Sequence, residues 1–156
     1  MGTARLGFAL VVASLLSSLS AGAQPAASVP RIGYLSASSA STQAPNVEAL
    51  RQGLRELGYV EGQNIAIEHR FADGNRDRVP GLVADLVGLK VAVIVVAGTQ
   101  AALPARDATQ TIPIVMGNSE DPVAIGLVQS LSRPGGNVTG LTDISVELSG
   151  KRLELL

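Results

Sequence analysis

The sequence predicts an α/β domain, a parallel sheet with helices on both faces, and three observations carry that expectation. Residues 91–98, VAVIVVAG, run without a polar interruption, as a strand does when helices cover both of its sides. Residues 45–59, PNVEALRQGLRELGY, instead space Val47, Leu50, Leu54 and Leu57 at a helical period, with Glu48, Arg51, Gln52 and Arg55 opposite. Strand-like and helix-like stretches then alternate along the whole chain, β-α-β-α-β-α-β-α-β, which calls for helical crossovers between parallel strands.

Taken in order, residues 31–37, RIGYLSA, open the sheet, and a Ser/Ala-rich loop is expected over 38–44. The first helix follows, with Gly58 as its stop. After the turn EGQN, residues 64–71 alternate Ile65, Ile67 and His69 against Ala66, Glu68 and Arg70, which suits a strand at a sheet edge. A polar segment, ADGNRDR, leads to a second helix whose stripe is Leu82, Val83, Leu86 and Leu89. A third helix is expected over about 99–108, short or kinked because Pro104 lies inside it. IPIVMG is the fourth strand, VAIGLVQSL a fourth helix, RPGGN a turn and VTGLT a short fifth strand. Strands one, three and four are expected at the centre of the sheet and strand two at an edge.

Composition narrows the function classes. The chain has 156 residues, 46% of them hydrophobic and 3% aromatic, enough for one compact aliphatic core. The net charge of −1 is scattered and forms no basic stripe, so no nucleic-acid partner is expected. With no Cys and a single His, the usual zinc sites are excluded, and neither a metal nor a cofactor is expected. No G-x-G-x-x-G or Walker lysine motif is present, and no G-x-S-x-G elbow. His69 reads as a structural histidine on the edge strand, and the sequon-like NVT at 137–139 as a turn leading into a strand.

The first residues stand apart from the fold. Arg5 precedes an apolar stretch over 6–19, and Ala21-Gly22-Ala23 forms a small-x-small cleavage site. This is the pattern of a secretory signal peptide over residues 1–23, with cleavage near Ala23 and no stable membrane insertion afterwards. Residues 24–30 are a Pro/Ala/Ser linker. No Cys follows the cleavage point to take a lipid, so a soluble exported product in a bacterial periplasm-like compartment is expected.

In open parallel sheets, ligands bind beyond the carboxyl ends of the strands. Three loops of small and hydroxyl-bearing residues are expected at that edge. After the first strand comes LSASSAST, with Ser36, Ser38 and Ser39; after the third, AGTQAA, with Gly98, Thr99 and Gln100; after the fourth, NSEDP, with Asn118, Ser119 and Asp121. Gly98 allows close approach, Thr99 can cap, and Asp121-Pro122 fits a helix cap followed by proline. Helix starts placed there offer N–H donors to an anion such as a carboxylate. Ordinary strand-to-helix turns would also account for Thr99 and Asp121, since capping needs no ligand.

The stretches RIGYLS, LRQGLRELGYVEGQNIAIEHRFADGNRDRVPGLVADLV, VIVVAGT, TIPIVMGNSEDPVAIGLVQSLSRPGGNVTGLT and LSGKRLELL together resemble the solute-binding proteins of one family of bacterial ABC importers, some of which are similar to receptors for tryptophan or tyrosine. The likeness covers residues 31–156. It implies a two-lobed type I periplasmic binding protein whose lobes are Rossmann-like α/β units, with a small solute such as an amino acid held between them and an ABC permease as partner. On this likeness residues 31–142 are the amino-terminal lobe, residues 143–156 begin the connection to a second lobe that is missing from the chain, and the loops at 36–39, 98–100 and 118–121 face the cleft. Pro104 departs from the family pattern. The resemblance implies a binding protein and not an enzyme. Two alternatives are a periplasmic sensing domain serving a signalling partner and an exported α/β hydrolase, for which Glu120 with Asp121 is the only candidate acid pair.

Overall fold

A computed structural model describes residues 29–118 and 121–142. Its elements are β1 (Arg31–Ser36), α1 (Ala40–Glu56), β2 (Ala66–Phe71), a 3-10 turn (Arg76–Arg78), α2 (Val79–Gly88), β3 (Val93–Ala97), α3 (Thr99–Ala108), β4 (Ile114–Asn118) and β5 (Val138–Gly140). The five strands form one sheet in the order β2-β1-β3-β4-β5, and every neighbouring pair is parallel. β1, β3 and β4 are central and β2 is an edge, as the alternation in its sequence predicts. The expected signal peptide and linker fall outside the described residues, apart from Val29 and Pro30, and so does the expected connection at 143–156.

Two apolar layers sandwich the sheet. On one side α2 and α3 bury Val79, Val83, Leu86, Ala101, Ala102 and Ala105 against Leu35, Ile94, Val96, Ile114, Met116 and Val138. Gly33 lets α2 come close, because a Cβ there would lie 2.9 Å from Leu86 Cδ1. On the other side α1 packs Val47, Leu50 and Leu54 on Tyr34, Ile67, Phe71 and Val95. That helix reaches β1, β2 and Val95 of β3 but leaves a hollow over β4 and β5. The unbroken run of β3 predicts burial on both faces. In the structure only Ile94 and Val96, on the α2/α3 side, are fully buried, while Val93, Val95 and Ala97 are half-buried.

The first helix starts earlier than its apolar stripe suggests. Residues expected as loop, from Ala40 onward, already form its first turn. Ser39 caps it, accepting from the Thr42 amide at 3.4 Å, and Gln43 N–H closes the first backbone bond on Ser39 O at 3.1 Å. Pro45 therefore lies inside the helix and not at its start. At the far end Gly58 adopts φ 85°, and Tyr59 N–H bonds Leu54 O while Gly58 N–H bonds Arg55 O. This is a Schellman stop, and it turns Leu57 out to 75% exposure, so Leu57 does not join the buried stripe.

The expected helix VAIGLVQSL does not form. Asp121 caps a turn beginning at Pro122, but Gly126 sits at φ 70°. Gly126 N–H bonds Val123 O, and Leu127 N–H bonds Pro122 O. The same Schellman geometry thus closes the helix after one turn, and Leu127 and Val128 reach the core from irregular backbone. The expected kink at Pro104 costs α3 no length, since the helix keeps all ten residues from Thr99 to Ala108. Asn137 of the NVT stretch has a structural task. Its side-chain amide donates to Thr109 O at 2.9 Å and Ile112 O at 2.8 Å, tying the α3–β4 connection to β5.

Candidate functional site

At the carboxyl end of β1, β3 and β4 lies an open cleft of about 420 Å³, lined by Ala37, Ser38, Gln43, Asn46, Ala97, Gly98, Thr99, Gln100 and Asn118. Three backbone features build it. β1 runs out at Ser36, whose hydroxyl accepts from Ser38 N–H at 3.1 Å and turns the chain toward α1. β3 runs out at Gly98, whose φ of 91° and ψ of 153° are open to glycine alone at little strain, and α3 begins at the next residue. β4 carries a bulge: Met116 pairs with Val96 and Asn118 with Ala97, so Gly117 is skipped. A bulge at a strand end re-aims the following side chain, and here it delivers Asn118 to the cleft.

The expected site residues divide on this geometry. Ser38, Gly98, Thr99, Gln100 and Asn118 come together on the cleft wall. Ser36 does not face it: the residue is fully buried and its hydroxyl serves the β1 turn. Ser39 is absorbed in capping α1, with its hydroxyl 3.0 Å from those of Ser41 and Thr42. Asp121 is likewise a cap, its Oδ1 accepting from Val123 and Ala124 N–H at 3.1 and 3.0 Å, and it does not line the cleft. Ser119 lies outside the described residues, as does Glu120. Thr99 is not the cap of α3, a position taken by Gly98.

Two polar cleft residues, Gln43 and Asn46, are not among those expected. Both stand on the early turns of α1. Gln43 is 9% exposed, and its Oε1 accepts from the Tyr34 hydroxyl at 2.9 Å and from Asn46 Nδ2 at 3.0 Å. Burial pushes the Tyr34 hydroxyl pKa up, which keeps it protonated and able to donate. The signal was present in the sequence. Gln43 stands four residues before Val47, in phase with Leu50 and Leu54, so a polar side chain occupies the buried stripe.

A larger hollow of about 650 Å³ adjoins the cleft and shares Asn46, Ala97 and Asn118 with it, but its floor is the sheet edge beyond α1, at Val115, Thr139 and Leu141. Another, of about 550 Å³, lies at the opposite end of the sheet around Arg106 and Gly136. Arg106 is tied there to Gly126 O at 2.6 Å and to Asp107. Among the described residues no group of His, Asp and Glu is placed to hold a metal ion, and no helix is long and apolar enough to cross a membrane.

The carboxyl edge of an open parallel sheet is where such folds hold ligands, and the relatives of the chain are substrate-binding proteins. A family model for ABC transporter substrate binding proteins matches residues 37–156. A tyrosine-binding protein of Clostridioides difficile (strain R20291) is 36% identical over 117 residues, covering 72% of this chain and 33% of that protein. Among solved structures, the ligand-free, open form of a substrate-binding protein with adhesive properties from Clostridium difficile superposes with a TM-score of 0.73 at 29% identity, over 81% of this chain and 43% of that one. An ABC domain from Streptococcus pneumonia in complex with L-Trp gives 0.69 at 31% identity, over 74% and 39%. A conserved domain protein from Vibrio cholerae gives 0.73 at 33%, over 81% and 42%. The chain belongs to the ABC transporter substrate-binding protein family, and both clostridial relatives are described as binding proteins. It spans about a third of the curated relative and about two-fifths of the solved ones.

Proposed function

We propose that the chain is the amino-terminal lobe of a periplasmic solute receptor for an ABC importer, and that its cleft forms one wall of a site for a small solute of the amino-acid class. The observation that carries this reading is the convergence of Ser38, Gln43, Gly98, Gln100 and Asn118, from α1 and three strand ends, on one cleft with no charged side chain among the described residues that line it. A neutral wall of amide and hydroxyl groups suits a zwitterion, whose charges cancel overall and need directed hydrogen bonds more than a counter-ion. Relatives described as a tyrosine-binding protein and as a complex with L-Trp support the same class. Export follows the pattern at Ala21-Gly22-Ala23, and delivery to an ABC permease follows the family.

A receptor of this kind surrounds its ligand from two lobes. A ligand held at micromolar affinity is bound by about 8 kcal/mol, and one wall supplying about half of that gives a dissociation constant on the order of millimolar. Calorimetric titration of the 156-residue chain with the twenty amino acids tests the reading. Millimolar binding confined to a few amino acids supports it, and no binding to any of them contradicts it. Amino-terminal sequencing of exported material tests the location. A start at Gln24 supports cleavage after Ala23, and a start at Met1 contradicts it.

A further inference from the structure

The Gln43 side chain is held from two sides on the cleft wall. Its residue is nine-tenths buried, and both hydrogen bonds that reach it end on the same atom, Oε1. An amide oxygen offers two lone pairs, and Tyr34 and Asn46 fill them. The amide cannot turn over. Were Nε2 placed on the Tyr34 side, the Tyr34 hydroxyl, on a residue 2% exposed, would hold a proton with no acceptor. Tyr34 itself is fixed on β1 by ring contacts with His69 and Phe71 at centroid distances of 6.0 Å each. The Nε2 group, with two N–H donors, has no protein partner among the described residues and belongs to a residue that lines the cleft. Nε2 is not among the buried unpartnered atoms of the described residues, so its N–H groups are open to the cleft, where an acceptor on a solute can take the place of water.

We infer that Gln43 is a specificity-determining residue of the solute site, that its amide is locked by Tyr34 and Asn46 so that it can only donate, and that it selects solutes presenting an acceptor oxygen, a carboxylate above all. This inference rests on the solute-receptor reading given above. Asn46 and Tyr34 are positioning residues in it, acting through Gln43. The chemistry is directional: an ammonium brought to the same place meets two N–H groups and no lone pair.

The test uses the full 156-residue chain, labelled with nitrogen-15, and follows the Gln43 side-chain amide resonances. The probes are L-phenylalanine, phenethylamine, which lacks the carboxylate, and sodium acetate against a sodium chloride control. The Gln43 resonances are expected to shift with L-phenylalanine and with acetate but not with phenethylamine. Gln43→Glu keeps an oxygen for Tyr34 and Asn46 but turns an acceptor into the cleft. It is expected to weaken L-phenylalanine about tenfold or more, the effect of replacing a charge-assisted hydrogen bond by like charges, and to leave phenethylamine no weaker. Tyr34→Phe unlocks the amide while keeping the ring, and is expected to narrow the preference for acid over amine. Should Gln43→Glu fail to fold, the wild-type resonances and Tyr34→Phe decide the matter. An acetate shift at Gln43 with no amino-acid binding would keep the acceptor selection and defeat the amino-acid reading. Amino-acid binding in the cleft with an unmoved Gln43 amide, or with Gln43→Glu indistinguishable from wild type, would overturn this inference and leave the receptor reading standing.

Discussion

Gly98 is where the fold and the cleft meet, and Gly98→Ala isolates its backbone. A Cβ built there finds nothing within 4 Å, so the substitution introduces no collision. What it introduces is torsional: φ 91° with ψ 153° lies in a region essentially reserved for glycine. Holding an alanine there costs about 1–3 kcal/mol. For a domain of this size that is a melting temperature lower by roughly 5 °C for each kcal/mol. The alternative open to the chain is to relax φ, which shifts the start of α3 and with it Thr99 and Gln100 on the cleft wall. A control with the opposite sign is available within α1. Gly53 is helical and also has nothing within 4 Å of a Cβ, so Gly53→Ala should stabilise by about 0.5–1 kcal/mol. Urea or thermal unfolding of the two variants, with amide spectra of the cleft residues, is the assay. If Gly98→Ala is as stable as wild type with an unchanged cleft spectrum, the conformation assigned to the β3–α3 junction is wrong.

Three further outcomes follow from the packing and charges. Gly33→Ala places a methyl 2.9 Å from Leu86 Cδ1 in a fully buried contact and should destabilise by about 1–3 kcal/mol, and an unchanged unfolding midpoint would show that α2 does not rest on β1 as described. His69 lies beside Phe71 at 5.9 Å with its Nε2 3.3 Å from Arg51, and desolvation, reinforced by Arg51 against Glu61 and Glu68, holds its pKa below the ordinary histidine value. The unfolded chain then binds the proton first, so stability should fall as pH drops below about 6.5; His69→Phe should flatten that slope in urea midpoints measured from pH 7 to 5, and an equal slope in both proteins would contradict the assignment. The sheet face that α1 leaves open at Val115 and Leu141, the latter 70% exposed, should make the 156-residue chain self-associate, with light-scattering mass rising with concentration and Leu141→Lys reducing the rise, whereas a constant monomer mass would contradict it.

Much of the architecture was legible in the sequence because it depends on period and alternation. The stripe of Leu82, Val83, Leu86 and Leu89, the polar alternation of β2 and the stop at Gly58 each carry their outcome in a local pattern. The misreadings share a cause: a few hydrogen bonds outweighed the pattern. Ser39 and the Tyr34–Gln43 contact extend α1 back across residues that look like loop. Gly126, one residue at positive φ, ends a helix whose apolar spacing would otherwise continue it. At the site, the carboxyl-edge rule placed the loops, but each hydroxyl or carboxylate could serve either the cleft or a cap. Ser36, Ser39 and Asp121 went to turns and caps, and nothing local distinguishes them from Ser38. The bulge at Gly117 and the lock on Gln43 depend on register between distant strands and on a hydroxyl from another element, which residue types alone do not show.

The most direct test of the central claim, that the cleft at the carboxyl ends of β1, β3 and β4 is a wall of the solute site, is a titration of the nitrogen-15-labelled chain with L-tryptophan, read as amide shifts residue by residue. The account predicts shifts grouped at Ser38, Gln43, Gly98, Thr99, Gln100 and Asn118, saturating with a dissociation constant on the order of millimolar. Shifts grouped instead around Arg106, Gly135 and Gly136 at the other end of the sheet, or none at all, would contradict it.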